Sequence, residues 1–339
     1  LDQKLKKEGA KKSPPPDPNG LTVIPSGTKV SPQNWTGKSI PATYAFVGEM
    51  GALPNPHFFR QSDGHLSVLV SSATKFGEDF LIDKYAITCR QFSNFLNDLC
   101  GRGIVQTTTE NGEHQAVSGK HILIVDAFDR WEKPNLSQPW LHAPKPFGVT
   151  YQNGLWTPVP ESDLLPVTLV TWWGARLYSL WAHEEITDTL PEAYAYLPTP
   201  EQWHAAATWD PQTHVFRRYP WGDIWDPTIV NFSGYWSGRN ITEDEWQSQW
   251  AANSLAYAST RPLPVAALGQ NISPVGCVQM LGNTWEWTLS ALESRLPIQG
   301  GCATSPMEHC QVGGNTRWSV NMPNEYISFR CSYSLRRSA

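Results

Sequence analysis

The chain has 339 residues, 40% of them apolar and 17% charged, with a formal net charge of −5. Such a length and apolar content suffice for one large packed domain or two small ones. The negative balance argues against nucleic acid as the main partner, and no apolar run approaches the roughly 18 residues of a membrane span.

Two residue types stand out. The 17 Trp bring large apolar area with one polar handle each, which serves cores and binding surfaces alike. The six Cys are Cys89, Cys100, Cys277, Cys302, Cys310 and Cys331. None forms a C-x-x-C pair, so a structural zinc site is not expected. A chain this large does not need disulfides to fold, so the compartment stays open between cytoplasm and cell surface. Sequons at Asn34, Asn135, Asn240 and Asn271 occur too easily by chance to decide it. The first residue is Leu rather than Met, so the chain reads as a fragment or a processed protein.

Residues 1–20, LDQKLKKEGAKKSPPPDPNG, are Lys-rich and then Pro-rich with almost nothing to bury. They read as a flexible tail or a tether to an upstream fused domain. Residues 21–339 then read as a single domain. Short strand-like runs follow at Leu21 to Ile24, Tyr44 to Val47 and Leu66 to Val70. Phe80 to Thr88 reads as a strand ending in a helix cap, with Thr88 and Gln91 as a capping box. Phe92, Phe95, Leu96 and Leu99 then recur at helical spacing. Residues 101–163 read as a long insertion, rich in Gly, Asn and Pro, with strand-like runs such as His121 to Val125.

Leu165 to Val170 reads as a strand, and Thr171 as the cap of a second helix with Trp173, Leu177 and Leu180 on one face. In Leu197-Pro198-Thr199-Pro200-Glu201-Gln202-Trp203, Thr199 suits the N-cap, Pro200 the first helical position, and Gln202 completes a capping box. Trp203, Ala206 and Ala207 then face the core. Tyr219-Pro220-Trp221-Gly222-Asp223 is a turn in which Asp223 acts as an Asx acceptor. Beyond residue 229 no strong helix is expected. In Gly282-Asn283-Thr284-Trp285-Glu286-Trp287-Thr288, Gly282 and Asn283 form a tight turn. The alternation that follows predicts a half-buried strand with Trp285 and Trp287 inward. Few helices among many short strands give an α+β class.

Taken in order, FLIDKYAIT with QFSNFL, LPVTLVTWWGARLYSLWA, LPTPEQWHAAA, YPWGD, PVGCVQMLGNTWEWT, GGC and ISFRC resemble the formylglycine-generating-enzyme (sulfatase-modifying factor) superfamily, a branch of the C-type lectin fold. The resemblance spans roughly residues 75–335. It implies a C-type lectin-like α+β fold. The superfamily includes copper-dependent oxidases acting on a sulfatase cysteine, sulfoxide synthases, modules fused to effector domains, and variable proteins of diversity-generating retroelements.

In the oxidase branch two cysteines five positions apart bind Cu(I). Here the matching positions are Ser305 and Cys310, while Cys302 stands where the family usually has Ser. A hydroxyl is a poor ligand for a soft ion, so the resemblance leaves oxidase chemistry short of one thiolate. An altered site would use Cys302 and Cys310, with His309 and Met307 in the same loop. The resemblance also implies Ca²⁺ at Gln279, the carbonyls of Gly282 and Thr284, and Glu286, with a second site matched at Asn231. Oxygen donors of this kind suit the ion. Sulfoxide-synthase activity is not expected, because no His pair has helical spacing. His183 and His204 read as surface or core residues, and Arg330 as the partner of a buried carboxylate. No Ser-His-Asp order, phosphate-binding loop or dinucleotide fingerprint is present.

The leading expectation is a non-catalytic binding module for a protein or other macromolecular ligand. Its surface would be the loops of residues 302–328, with Ala303, Ser305, Met307, His309, Gln311, Asn315, Arg317, Trp318, Ser319, Asn321, Asn324 and Tyr326 as contact residues. Aromatic anchors among adaptable polar residues are the chemistry of such surfaces. In retroelement variable proteins this is the diversified segment. The rivals are a copper oxidase with an altered cysteine pair, and a sensor or adaptor domain of a larger effector.

Overall fold

The protein is described from a computed structural model, which covers residues 41, 43–49, 56–71, 78–132, 146–187, 191–246 and 260–335. The tail at 1–20 and the strand expected at 21–24 lie outside these residues.

The first strands are β1 (Tyr44–Glu49), β2 (Pro56–Arg60), β3 (His65–Val70) and β4 (Phe80–Asp83). They lead into α1 (Cys89–Gly101). Its capping box forms as the sequence predicts: Gln91 N donates to Thr88 Oγ1 at 3.3 Å, and Thr88 N to Gln91 Oε1 at 3.1 Å. Phe92, Phe95, Leu96 and Leu99 are all fully buried.

The stretch expected to be a long insertion with a few strand-like runs holds more regular structure, among its described residues, than that reading gave it. It contains β5 (Gln106–Glu110), β6 (Glu113–Ser118), β7 (His121–Val125), α2 (Ala127–Glu132), β8 (Val149–Gln152) and β9 (Leu155–Pro158). Two of its turns are Asn-Gly pairs with both residues at positive φ: Asn111 and Gly112 at 52° and 74°, Asn153 and Gly154 at 53° and 83°. Only a residue without Cβ, or one with a short polar side chain, takes this conformation at low cost. Ala116, Leu123, Ile124, Val125, Phe147, Val149 and Trp156 join the largest hydrophobic cluster, so the segment is part of the core.

Leu165 to Val170 is not a strand. Only the isolated bridges Thr88↔Pro166 and Ile124↔Val170 form there. Pro166 lacks an N–H, and Leu169 takes φ 59°, so no ladder can propagate. The next helix, α3 (Trp172–Ala182), is capped by Thr171, and it buries Trp172, Trp173, Ala175, Tyr178, Leu180 and Ala182 while Leu177 is half-buried. The fourth helix, α4 (Pro200–Thr208), has the predicted capping box and buries Trp203, Ala206 and Ala207. It is followed by β10 (Trp209–Asp210), β11 (Val215–Phe216), the one-turn helices α5 (Ser233–Ser237) and α6 (Glu243–Glu245), and β12 (Trp285–Trp287). The chain closes with β13 (Arg295–Gln299), β14 (Arg317–Ser319), β15 (Ile327–Ser328) and β16 (Ser332–Ser334).

Two larger sheets position the site. One is antiparallel with the order β1-β2-β3-β4-β16, so the end of the chain pairs with its first third. The other has the order β14-β13-β12-β15, with only the β12–β15 pair parallel. The first helices and the second sheet share one hydrophobic cluster, where Phe92 and Tyr178 stack at 5.7 Å and Trp287 is fully buried. The fold is α+β. No helix among the described residues is long and apolar enough to cross a membrane.

Candidate functional site

The Gly282–Thr288 stretch forms the predicted turn. Gly282 and Asn283 take φ 74° and 67°, and Gly282 N donates to Gly300 O at 2.8 Å. Asn283 is the hub of this turn. Its Oδ1 accepts from Asn231 Nδ2 at 2.8 Å and from Leu263 N at 2.7 Å, and its Nδ2 donates to Leu263 O at 3.1 Å.

Glu286 departs from the predicted alternation. It is buried, at 2% exposure, between Trp285, which is half-buried, and Trp287. Arg330 meets its carboxylate in a two-pronged pair, Nε to Oε2 and Nη2 to Oε1, both at 2.7 Å. Trp203 Nε1 donates to Oε2 at 2.8 Å. The remaining Arg330 donors reach the carbonyls of Asp83, Lys84 and Val278. The pair joins β12 to the segment before β16, the structural role expected of Arg330.

This arrangement does not fit a calcium ion. A guanidinium already occupies both Glu286 oxygens and would repel a second cation. Asn231 Nδ2 donates to Arg261 O and Asn283, and its Oδ1 accepts from Trp236. Gln279 Nε2 donates to the carbonyls of Pro264 and Ala267, and its Oε1 accepts from Asn283. The side chains around Gly282 and Thr284 thus bond to one another and to the main chain.

The two thiols of the Gly-Gly loop are both buried. Cys302 Sγ lies 3.2 Å from Ser305 Oγ and 3.2 Å from Thr304 Oγ1. Cys310 packs with Ile229, Val230 and Phe232. Gly301 makes room for it: a Cβ at 301 would stand 2.7 Å from Cys310 Sγ. Burial raises both thiol pKa values, and a charge on Cys302 would push Cys310 further up. His309 turns away to Glu243, at 2.9 Å, and packs edge-on against Trp246. Among the described residues, the only three-membered group of His, Cys, Asp and Glu with converging ligand atoms is His114, Asp126 and Asp129. There Asp126 accepts from Thr150, Tyr151 N and Asp129 N, and Asp129 from His114, so its oxygens serve the local fold.

The expected contact surface divides. Ala303, Ser305 and Tyr326 are buried, at 0%, 1% and 6% exposure, and are not available as contact residues. Trp246 Nε1 donates to Thr304 O beside the first two, and Tyr326 OH donates to Thr260 O. Met307 and His309 are half-buried. Gln311, Asn315 and Asn321 are exposed, and Arg317, Trp318, Ser319 and Asn324 are half-buried. The main chain of this last group is pinned by main-chain bonds. Ile298 N donates to Thr316 O, Val320 N to Ser294 O, Trp172 N to Val320 O and Leu169 N to Asn324 O. No local pattern in the sequence signals Glu243, Trp246 or Asn283 as neighbours of this region; each arrives from a distant segment.

A separate buried network lies between the first sheet and α3. Arg60 pairs with Asp83 at 2.7 Å and with Asp63 at 2.6 Å, and Tyr178 OH donates to Asp63 at 2.7 Å. Burial alone would raise the Asp83 pKa, but the Arg60 guanidinium outweighs it and holds the group below its usual value. His183 is 3% exposed, with Nδ1 at 2.7 Å from Ser179 O and Nε2 at 2.9 Å from Tyr44 OH. Burial, reinforced by Arg60, lowers its pKa to about 4.

Residues 53–335 match the model of the sulfatase-modifying factor enzyme 1-like domain. The chain belongs to this family. Among its relatives, a hercynine oxygenase of Mycolicibacterium thermoresistibile is 34% identical over 43% of this chain and 25% of its own length. A formylglycine-generating enzyme of Thermomonospora curvata is 27% identical over 61% of this chain and 58% of its own. An inactive C-alpha-formylglycine-generating enzyme 2 of Mus musculus is 28% identical over 58% of each. The match thus covers between a quarter and three fifths of these relatives. Two of these relatives are named as enzymes and one as inactive, so membership of the family does not by itself fix the chemistry of this chain.

Proposed function

We propose that this chain is a non-catalytic, ligand-binding member of the sulfatase-modifying factor family that presents the loops of residues 311–324. One observation carries the reading: main-chain hydrogen bonds fix the backbone of 316–324, while Gln311, Asn315 and Asn321 face solvent. Side chains there can change without loss of these main-chain bonds, although Asn321 also accepts from Trp173 Nε1, and half-buried Trp318 offers an aromatic anchor among polar neighbours. A protein ligand suits such a surface, and a retroelement-diversified receptor is the concrete form the resemblance suggests. Ser305 in place of a copper thiolate, and a relative named as inactive, support a non-catalytic role.

A second reading has its own observation. Cys302 Sγ lies 3.2 Å from Ser305 Oγ, so a thiol stands beside the position that carries the first copper thiolate in the oxidase branch. Two thiols are a suitable donor set for a soft monovalent ion. Anaerobic Cu(I) titration, followed by aerobic incubation with a cysteine-containing peptide and mass spectrometry, separates the two. The binding reading expects the peptide unchanged. Copper-dependent oxidation that disappears in Cys302→Ala and Cys310→Ala would replace it with the oxidase.

A further inference from the structure

We propose that the cleft between the C-terminal ends of α1 and α3 binds a small organic cation bearing an alkylated ammonium head. The cleft has a volume of about 470 Å³ and is lined by Ser62, Asp98, Arg102, Trp181, Glu184 and Ile186. That volume lies within the ordinary range for small-molecule sites. It adjoins the far end of α3 from the loops, since Trp172 and Trp173, at the helix start, are the residues that bond Val320 and Asn321. The cleft is therefore separate from the proposed ligand surface.

Three features favour a cation there. First, both helices direct their C-terminal ends toward the cleft, and the peptide dipoles place partial negative charge at that end. Second, among the described residues that line the cleft, two carboxylates, Asp98 and Glu184, stand against one guanidinium, Arg102. Asp98 is shared: Arg102 Nη1 lies 3.2 Å from its Oδ2, and Trp181 Nε1 donates to the same oxygen at 2.9 Å. Glu184 is exposed and, among the described residues, has no ion-pair partner. It also takes φ 60° just past the helix end, a place where glycine is the usual residue.

Third, Trp181 is held in place at the wall. Phe95 and Tyr178 pack against it at 5.6 Å and 5.4 Å, and the bond to Asp98 fixes the ring's rotation. An indole fixed beside carboxylates is the arrangement that attracts a weakly hydrated ammonium through its ring electrons. Arg102 and Asp98 are each about half exposed, with side chains at 49% and 47%. Arg102 can therefore swing out when a ligand cation takes its place, and it acts as a built-in competitor.

That competition gives the test its sign. Choline is titrated into the full chain by calorimetry, with 3,3-dimethylbutan-1-ol, its neutral isostere, as the control. Choline is expected to bind and the alcohol not to bind. Glu184→Gln, a substitution at an exposed position, and Trp181→Leu are each expected to weaken choline about 10-fold. Arg102→Ala is expected to tighten it, because the internal rival is gone. Absence of choline binding, equal binding of the alcohol, or weaker binding in Arg102→Ala would each overturn the proposal. None of these outcomes bears on the loops at 311–324.

Discussion

Glu286 shows how far a local pattern reaches. The alternation around it correctly predicts a strand and a buried Trp287, yet it places Glu286 on the outside. The carboxylate is inside because Arg330, 44 positions away, and Trp203 satisfy both of its oxygens. A buried charge is tolerated only with such partners, and a partner that distant leaves no trace in local spacing. His183 follows the same logic with a neutral group. Its Nδ1–H donates to Ser179 O, which leaves Nε2 to accept from Tyr44 OH. A proton on Nε2 would break that bond in a site that also holds Arg60. Asp63 and Asp83 face the same network and partly offset this charge. The unfolded imidazole titrates near 6.5 and the folded one near 4, so the unfolded chain binds more protons between these values. The resulting stability is fully present above pH 6.5 and falls as the pH drops toward 4, by up to about 3 kcal/mol. Urea unfolding from pH 7 to pH 4 should show this slope in the native chain and a shallower one in His183→Gln. Equal slopes would contradict the assignment.

At the scale of elements, the helices were the most legible. Thr88 with Gln91 and Thr199 with Gln202 are local signals, and both boxes form where the spacing puts them. In the segment 101–163 the strand-like run at His121 to Val125 forms as expected, while the hairpins at the Asn111-Gly112 and Asn153-Gly154 pairs, which are direct hairpin signals, go beyond that reading. Leu165 to Val170 was misread in the other direction, because apolar content outweighed Pro166 and the turn at Leu169. The turn at Gly282 has the tightest requirement. A Cβ there would stand 2.6 Å from both Asn231 O and Val230 Cγ1, at φ 74°. Gly282→Ala should cost about 2 to 4 kcal/mol, from left-handed strain plus overpacking. Gly313→Ala is the control: φ is 80° and nothing lies within 4 Å, so only the strain of about 1 kcal/mol applies. Urea midpoints for the two variants check this, and equal shifts would refute the steric part.

For the whole molecule, the fold was legible because the family's motifs are spread along the chain in order, and the match over residues 53–335 agrees. The contact surface was legible only in part. Ala303, Ser305 and Tyr326 look like loop residues in sequence, but Trp246, Ser233 and Thr260 belong to segments that close over their neighbourhood. What remains is a backbone pinned to β13, α3 and the turn before α3, with the exposed side chains of Gln311 and Asn315 outside those bonds and Asn321 also tied to Trp173. The same division separates the candidate ligand loops from the Gly282 turn, where the side chains of Asn231, Gln279, Asn283 and Glu286 are all hydrogen-bonded.

The measurement that tests this account most directly is the sequence of codons 295–335 across many close isolates carrying this gene. The account predicts substitutions concentrated at Gln311, Asn315, Arg317, Ser319, Asn321 and Asn324, with Ala303, Ser305, Tyr326 and the Gly282–Thr288 turn constant. Loops as invariant as the turn, or substitutions that fall equally on the buried positions, would contradict a varying ligand surface on a fixed backbone.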